Sequence, residues 1–82
     1  MAGERVWTVE IVLSEEGRQT RADARLRRSG GELIGWGRSR RNPSDANVPL
    51  VGDELAAARA LSDLSHQLIL AALDVIEELE PQ

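Results

Sequence analysis

The sequence predicts an α+β fold, a three-stranded antiparallel meander followed by a long C-terminal helical segment. Three observations predict it. Residues 5–40 alternate apolar and polar side chains with a period of two, interrupted twice by glycine-containing turns. Residues 53–79 contain neither Gly nor Pro, and their leucines recur at helical steps. Between them, residues 41–52 carry Asn42-Pro43 and Asn47-Val48-Pro49, the chemistry of a loop. At 82 residues, the chain 1–82 reads as one domain: sheet 5–40, loop 41–52, helical segment 53–79.

The first strand, residues 5–13, puts Trp7, Val9, Ile11 and Leu13 on one face and Val6, Thr8, Glu10 and Val12 on the other. Trp7, on the more apolar face, is expected in the core. Residues 14–18 form a turn, with Gly17 free to take positive φ. In the second strand, 19–28, Thr20, Ala22, Ala24 and Leu26 oppose Arg21, Asp23, Arg25 and Arg27. Ser29-Gly30-Gly31 makes a tight hairpin. The third strand, 32–40, sets Leu33, Gly35, Gly37 and Ser39 against Ile34, Trp36, Arg38 and Arg40. Small residues at 22, 24, 35 and 37 make a shallow surface for a helix.

That helix is expected to begin near Asp53, with Gly52 before it, acids at its positive end, and Pro81 after it. Leu55, Leu61, Leu64, Leu68, Val75 and Leu79 form its apolar stripe. Beyond His66, residues Ile69, Leu70, Leu73 and Ile76 widen the stripe past one face. An unbroken helix of this length runs about 40 Å, whereas a compact domain of this size has a radius of gyration near 12 Å. The helix therefore either breaks near Ser65-His66 or overhangs its sheet. Both alternatives call for a partner surface, and a two-fold homodimer using Leu68, Ile69, Leu73 and Ile76 is the simplest.

Composition narrows the function. Without cysteine there is no disulfide or thiolate metal site, and so small a domain gains from assembly. No apolar run reaches the roughly 18 residues of a membrane span, and no signal peptide opens the chain, so a soluble cytoplasmic protein is expected. Residues 1–42 hold nine Arg against six acids, residues 43–82 one Arg against eight. The absence of Lys fits a GC-rich genome as well as selection for bidentate anion recognition. The segregation of charge fits either a nucleic-acid face or surfaces that pair with each other.

No catalytic set emerges. His66, the single histidine, sits in the helix near Ser62, Asp63 and Ser65, an ordinary polar helix surface. Asp53-Glu54 and Glu77-Glu78-Glu80 read as solvated charge rather than metal ligands. Gly35-Trp36-Gly37 opens no helix, so it is no phosphate loop. Neither an enzyme nor a metal, cofactor or small-molecule substrate is expected. The candidate site is a sheet face carrying Arg21, Arg25, Arg27, Trp36, Arg38 and Arg40, able to stack bases and neutralise phosphates, or to meet a partner's acidic helix.

The blocks WTVEIVL at 7–13, TRADARL at 20–26, ELIGWGRSRRNPSDANVP at 32–49 and GDELAAARALSDL at 52–64 resemble a family of small actinobacterial proteins. It is a domain of unknown function with a fold like the double-stranded-RNA-binding domain, and the likeness spans about residues 7–70. The resemblance implies β-β-β-α order, dimers with intimately shared helices, and links to hypoxia, dormancy and stress. Some members are similar to ribosome hibernation-promoting factors. No catalytic residues carry over. Unlike true duplex-RNA-binding domains, this chain lacks an N-terminal helix and reads Gly52-Asp53-Glu54 where they are basic. The expected function is a stress or dormancy factor that associates with the ribosome or its RNA; the alternative is a dimeric protein-interaction module that binds no nucleic acid. The expected partners are a second copy and the ribosome, with no membrane.

Overall fold

Two two-residue turns convert the alternation into paired strands. In the computed structural model, which describes residues 3–44 and 46–80, β1 (Val9–Glu16), β2 (Gln19–Arg28) and β3 (Gly31–Arg40) form one antiparallel sheet in the order β1-β2-β3. Gly17 turns the first hairpin at φ 61°, and Gly31, at φ 112°, leaves the second. The register sets Ile11 beside Ala24 beside Gly35, and Leu13 beside Ala22 beside Gly37. Both faces follow the expected parity.

The first strand is shifted from its expected place. Residues 5–8 are not strand, and Glu15 and Glu16 are, paired with Thr20 and Gln19. The tight turn at Gly17-Arg18 lets the ladder run to its end. At the other end Val9 pairs with Leu26, and β2 soon turns away at Ser29-Gly30, so the residues before Val9 have no continuing ladder.

The connection ends early. Helix α1 spans Pro49–Leu79, 31 residues without a break. It starts four residues before Asp53 because Pro49 suits the first helical turn, where no amide hydrogen is needed. Gly52 therefore lies inside the helix. There its carbonyl accepts a 2.8 Å hydrogen bond from Ser39 Oγ, and an added Cβ would stand 3.2 Å from Thr20 Oγ1. Asp53 and Glu54 fall in the second turn, and the first turn holds no acid and no side-chain cap. Pro81 lies outside the described residues.

Helix α1 lies against β3 and β2 and scarcely touches β1. The contact is made by two alanines together with part of the leucine stripe. Ala56, Ala60 and Leu64 bury against Ala22, Ala24 and Leu26, with Ile11, Leu33 and Leu68 packed around them, whereas Leu55 and Leu61 are exposed. The glycines explain the exchange. A Cβ on Gly35 would stand 2.5 Å from the Ala60 carbonyl oxygen, and one on Gly37 2.7 Å from that of Ala56. The helix backbone lies directly on the strand at Ala56, Ala60 and Leu64.

Side chains of α1 also cap the free edge of β3. Asp63 Oδ2 accepts from the Trp36 amide at 3.0 Å, Gln67 Nε2 donates to the Ile34 carbonyl at 2.7 Å, and Arg59 Nη1 donates to that of Arg38 at 2.8 Å. They satisfy polar groups that an edge strand otherwise leaves open.

Of the two alternatives for the helix, overhang is the one observed. The Cα radius of gyration is 16.7 Å and the principal extents are 57 × 32 × 17 Å, against about 12 Å for a compact chain of this length.

Gly35→Ala and Gly37→Ala should each force the helix off the sheet and cost about 1–3 kcal/mol. Thermal denaturation should show it as a fall in Tm of roughly 4–8 °C per kcal/mol. Asp63→Ala should cost about 1 kcal/mol by leaving the Trp36 amide without its acceptor, read as a lower urea midpoint.

Candidate functional site

The helix covers one side of the sheet, and no element of the described chain covers the other. Period-two alternation places Arg21, Arg25, Arg27, Trp36, Arg38 and Arg40 together there, all exposed. Across the strands, Val12, Asp23 and Trp36 form one row, Glu10, Arg25 and Ile34 the next. Trp36 keeps 47% of its surface accessible, and Val12 and Ile34 are also exposed.

The arginines differ in their engagements. Arg21 holds its guanidinium carbon 4.8 Å from the centroid of the Trp36 ring and bonds Asp23 Oδ1 at 3.2 and 3.3 Å. A cation over an aromatic face at this distance is attractive. Arg27 bonds Glu32 at 3.0 Å. That bond first, then the charges of Glu32 and Glu10, raises the Arg27 pKa above its ordinary value and holds the guanidinium more firmly charged. The pair is solvent-exposed and adds little stability. Among the described residues, the side chains of Arg25, Arg38 and Arg40 have no ion-pair or hydrogen-bond partner.

Carboxylates interleave with these cations. Glu10, Glu16, Asp23 and Glu32 share the face, so its positive charge is local, strongest where Arg38 and Arg40 stand.

Trp7 was expected in the core and is not there. It is 59% exposed and lines a groove of about 350 Å³ with Val6, Thr8, Glu10, Arg25 and Arg27. The reason is twofold: α1 leaves β1 uncovered, and Trp7 precedes the first paired residue. Sequence reasoning therefore missed Trp7 as a residue of the arginine-rich side. Alternation carried through residue 7 points to the core, and only the end of the ladder corrects it.

The apolar residues of the helix separate by geometry. Leu68 is half-buried against the core. Ile69, Leu73 and Ile76 are about half exposed. At 3.6 residues per turn they line up with Ala58 on the side of α1 turned away from the sheet, and with Val51 and Leu55, which also line a cavity with Thr20 and Ser39 at the start of the helix. His66 is exposed on the helix. Among the described residues, no group of three or more His, Asp or Glu is placed to hold a metal ion, and no helix is long and apolar enough to cross a membrane.

Fold and face together define a class: a small β-β-β-α protein whose single long helix backs a three-stranded sheet and leaves its arginine- and tryptophan-bearing side open. The chain belongs to the Rv2632c-like family, whose model matches residues 5–82. It is 49% identical over 76 residues to MT1780, an uncharacterised protein of Mycobacterium tuberculosis, covering 93% of this chain and 81% of that one. To Rv2632c of the same species, also uncharacterised, it is 44% identical over 69 residues, covering 84% and 74%. The crystal structure of Rv2632c superposes with a TM-score of 0.86 at 36% identity, over 99% of this chain and 98% of that one. The family is thus a small mycobacterial one of uncharacterised proteins sharing this fold.

Because Trp36 is exposed, Trp36→Ala should leave the fold intact and change the unfolding free energy by less than about 1 kcal/mol. Urea denaturation followed by circular dichroism checks this.

Proposed function

We propose that this protein is a non-catalytic, cytoplasmic stress or dormancy factor that associates with the ribosome or its RNA through the open sheet face. One observation carries the reading: an uncovered sheet side bears a tryptophan under a guanidinium at 4.8 Å, with the unpartnered Arg25, Arg38 and Arg40 around it. Aromatic rings and guanidinium planes receive bases, and guanidinium groups not already paired receive phosphates. The family resemblance read from the sequence, some of whose members are similar to hibernation-promoting factors, points to the same partner. Co-sedimentation with ribosomes across a salt series tests it. Association should be strongest at low salt and be lost in Arg38→Glu/Arg40→Glu; no binding at any salt overturns it.

The working unit in this reading is a homodimer. Helix α1 carries its charge the wrong way round for its own dipole: Asp74, Glu77 and Glu78 crowd the negative C-terminal end, and the positive first turn has neither acid nor side-chain cap. Antiparallel pairing along Val51, Leu55, Ala58, Ile69, Leu73 and Ile76 hides the overhanging apolar surface and lays each acidic end near the partner's N-terminal turn. Light scattering should give twice the 9.0 kDa chain mass, and Ile69→Asp with Ile76→Asp should return the chain to a monomer.

A second reading, a dimeric protein-interaction module that binds no nucleic acid, is favoured by the carboxylates interleaved on the open face. In that case Trp36 and the arginines anchor a protein surface of mixed charge. Arg25→Glu with Arg27→Glu would then weaken the dimer or a protein complex and leave ribosome binding absent throughout.

A further inference from the structure

Resting on the proposed association with RNA, we infer that the open face binds unpaired nucleic acid, a short single strand whose bases stack on Trp36 and Trp7, rather than duplex RNA. Both rings are accessible on the side away from the helix or at its margin. Arg21 stands 4.8 Å over the Trp36 ring, so a base at this station stacks on the guanidinium–indole pair, and Trp7 lines the groove with Arg25 and Arg27. Trp7 is five residues before Val12, which is in the same cross-strand row as Trp36. With ~3.4 Å per residue along β1 from Val12 to Val9, two further residues of chain before it, and ~4.8 Å between strands, the two stations are at most roughly 20 Å apart. That is the reach of a few nucleotides of single strand.

Two physical arguments favour the single strand. A duplex buries its base faces and offers only phosphates, sugar hydroxyls and base edges, so exposed tryptophans gain nothing from it. Duplex binding also requires a broad cationic footprint. Here Glu10, Asp23 and Glu32 stand among the arginines, and Asp23 and Glu32 already occupy Arg21 and Arg27. The free cations, Arg25, Arg38 and Arg40, suit a few phosphates threaded between stacked bases. The start of α1, with Pro49, Gly52 and then Asp53, offers a duplex no basic helix end.

The chain is suited to the test. It has two tryptophans and no tyrosine or phenylalanine, so its intrinsic fluorescence reports only on these two positions. Single-stranded RNA hexamers, the same hexamers as DNA, and a blunt RNA duplex of matched sequence are titrated into the purified full chain. Single strands should quench the emission, and the duplex should not. RNA binding tighter than DNA identifies RNA as the source, and equal binding identifies single strands of either kind. Trp36→Ala and Trp7→Ala should each weaken binding about 5- to 150-fold, the equivalent of roughly 1–3 kcal/mol per stacked base. Trp36→Phe should restore most of it. With three arginines on phosphates, raising salt from 50 to 200 mM should weaken binding roughly 20-fold. Quenching by duplex as strong as by hexamer, or hexamer binding indifferent to both alanine variants, overturns the inference. If ribosomes still co-sediment while no hexamer binds, the single-strand inference fails and the ribosomal reading survives. If neither binds, both fail.

Discussion

The structure depends on how closely helix α1 can approach β3. Gly35 and Gly37 present bare backbone, so the helix rests on the strand with alanines at its own closest points. Close approach increases the contacts made per buried atom, but it makes the core thin. Ala22, Ala24, Leu26, Ala56, Ala60 and Leu64 are its fully buried apolar members. A domain this small has little stability in reserve. The hydrogen bonds from Asp63, Gln67 and Arg59 to the β3 edge reinforce the same seam, so packing and polar contacts hold the helix over one half of the sheet.

The asymmetry spreads outward from that seam. A helix held over β3 and β2 leaves most of β1 uncovered, with Ile11 at the margin of the core and Val9, Val12 and Leu13 exposed. It also runs antiparallel to β3 and past the hairpin end of the sheet, and Ile69, Leu73 and Ile76 stand exposed on its outer side. One close contact therefore produces two unsatisfied surfaces: an arginine- and tryptophan-bearing sheet side and an apolar helix extension. They point in different directions, so one molecule can use both at once, the helix toward its own kind and the sheet toward another partner.

Much of this was legible before any coordinates. A period of two assigns faces with little ambiguity, since a residue can only point up or down. The six candidate residues on the open side followed from that parity alone. The helix was harder. Its leucines form a visible stripe, yet Leu55 and Leu61 are exposed while Ala56 and Ala60 line the contact beside Leu64, because the glycines bring the helix backbone onto the strand and leave little room at those two positions. Trp7 was misplaced for a related reason: alternation states which way a side chain points from a strand, not whether the strand still exists at that residue. Gly52 and Pro49 were read as marks of a loop, although a proline in the first turn and a glycine at a close approach to Thr20 both suit a helix.

By itself the sequence determined the element order, the two faces of the sheet, the hairpin positions, and the excess of apolar surface on the last element. These are local properties, set by periodicity, turn chemistry and composition. Only the tertiary structure decided that the helix is continuous and overhangs, that it sits over β3 rather than across the whole sheet, and that Trp7 stands with Arg25 and Arg27 outside the core. Each of those depends on the distance between elements far apart in the chain, and that distance is set by the side chains missing at Gly35 and Gly37, which no pattern along one segment can report.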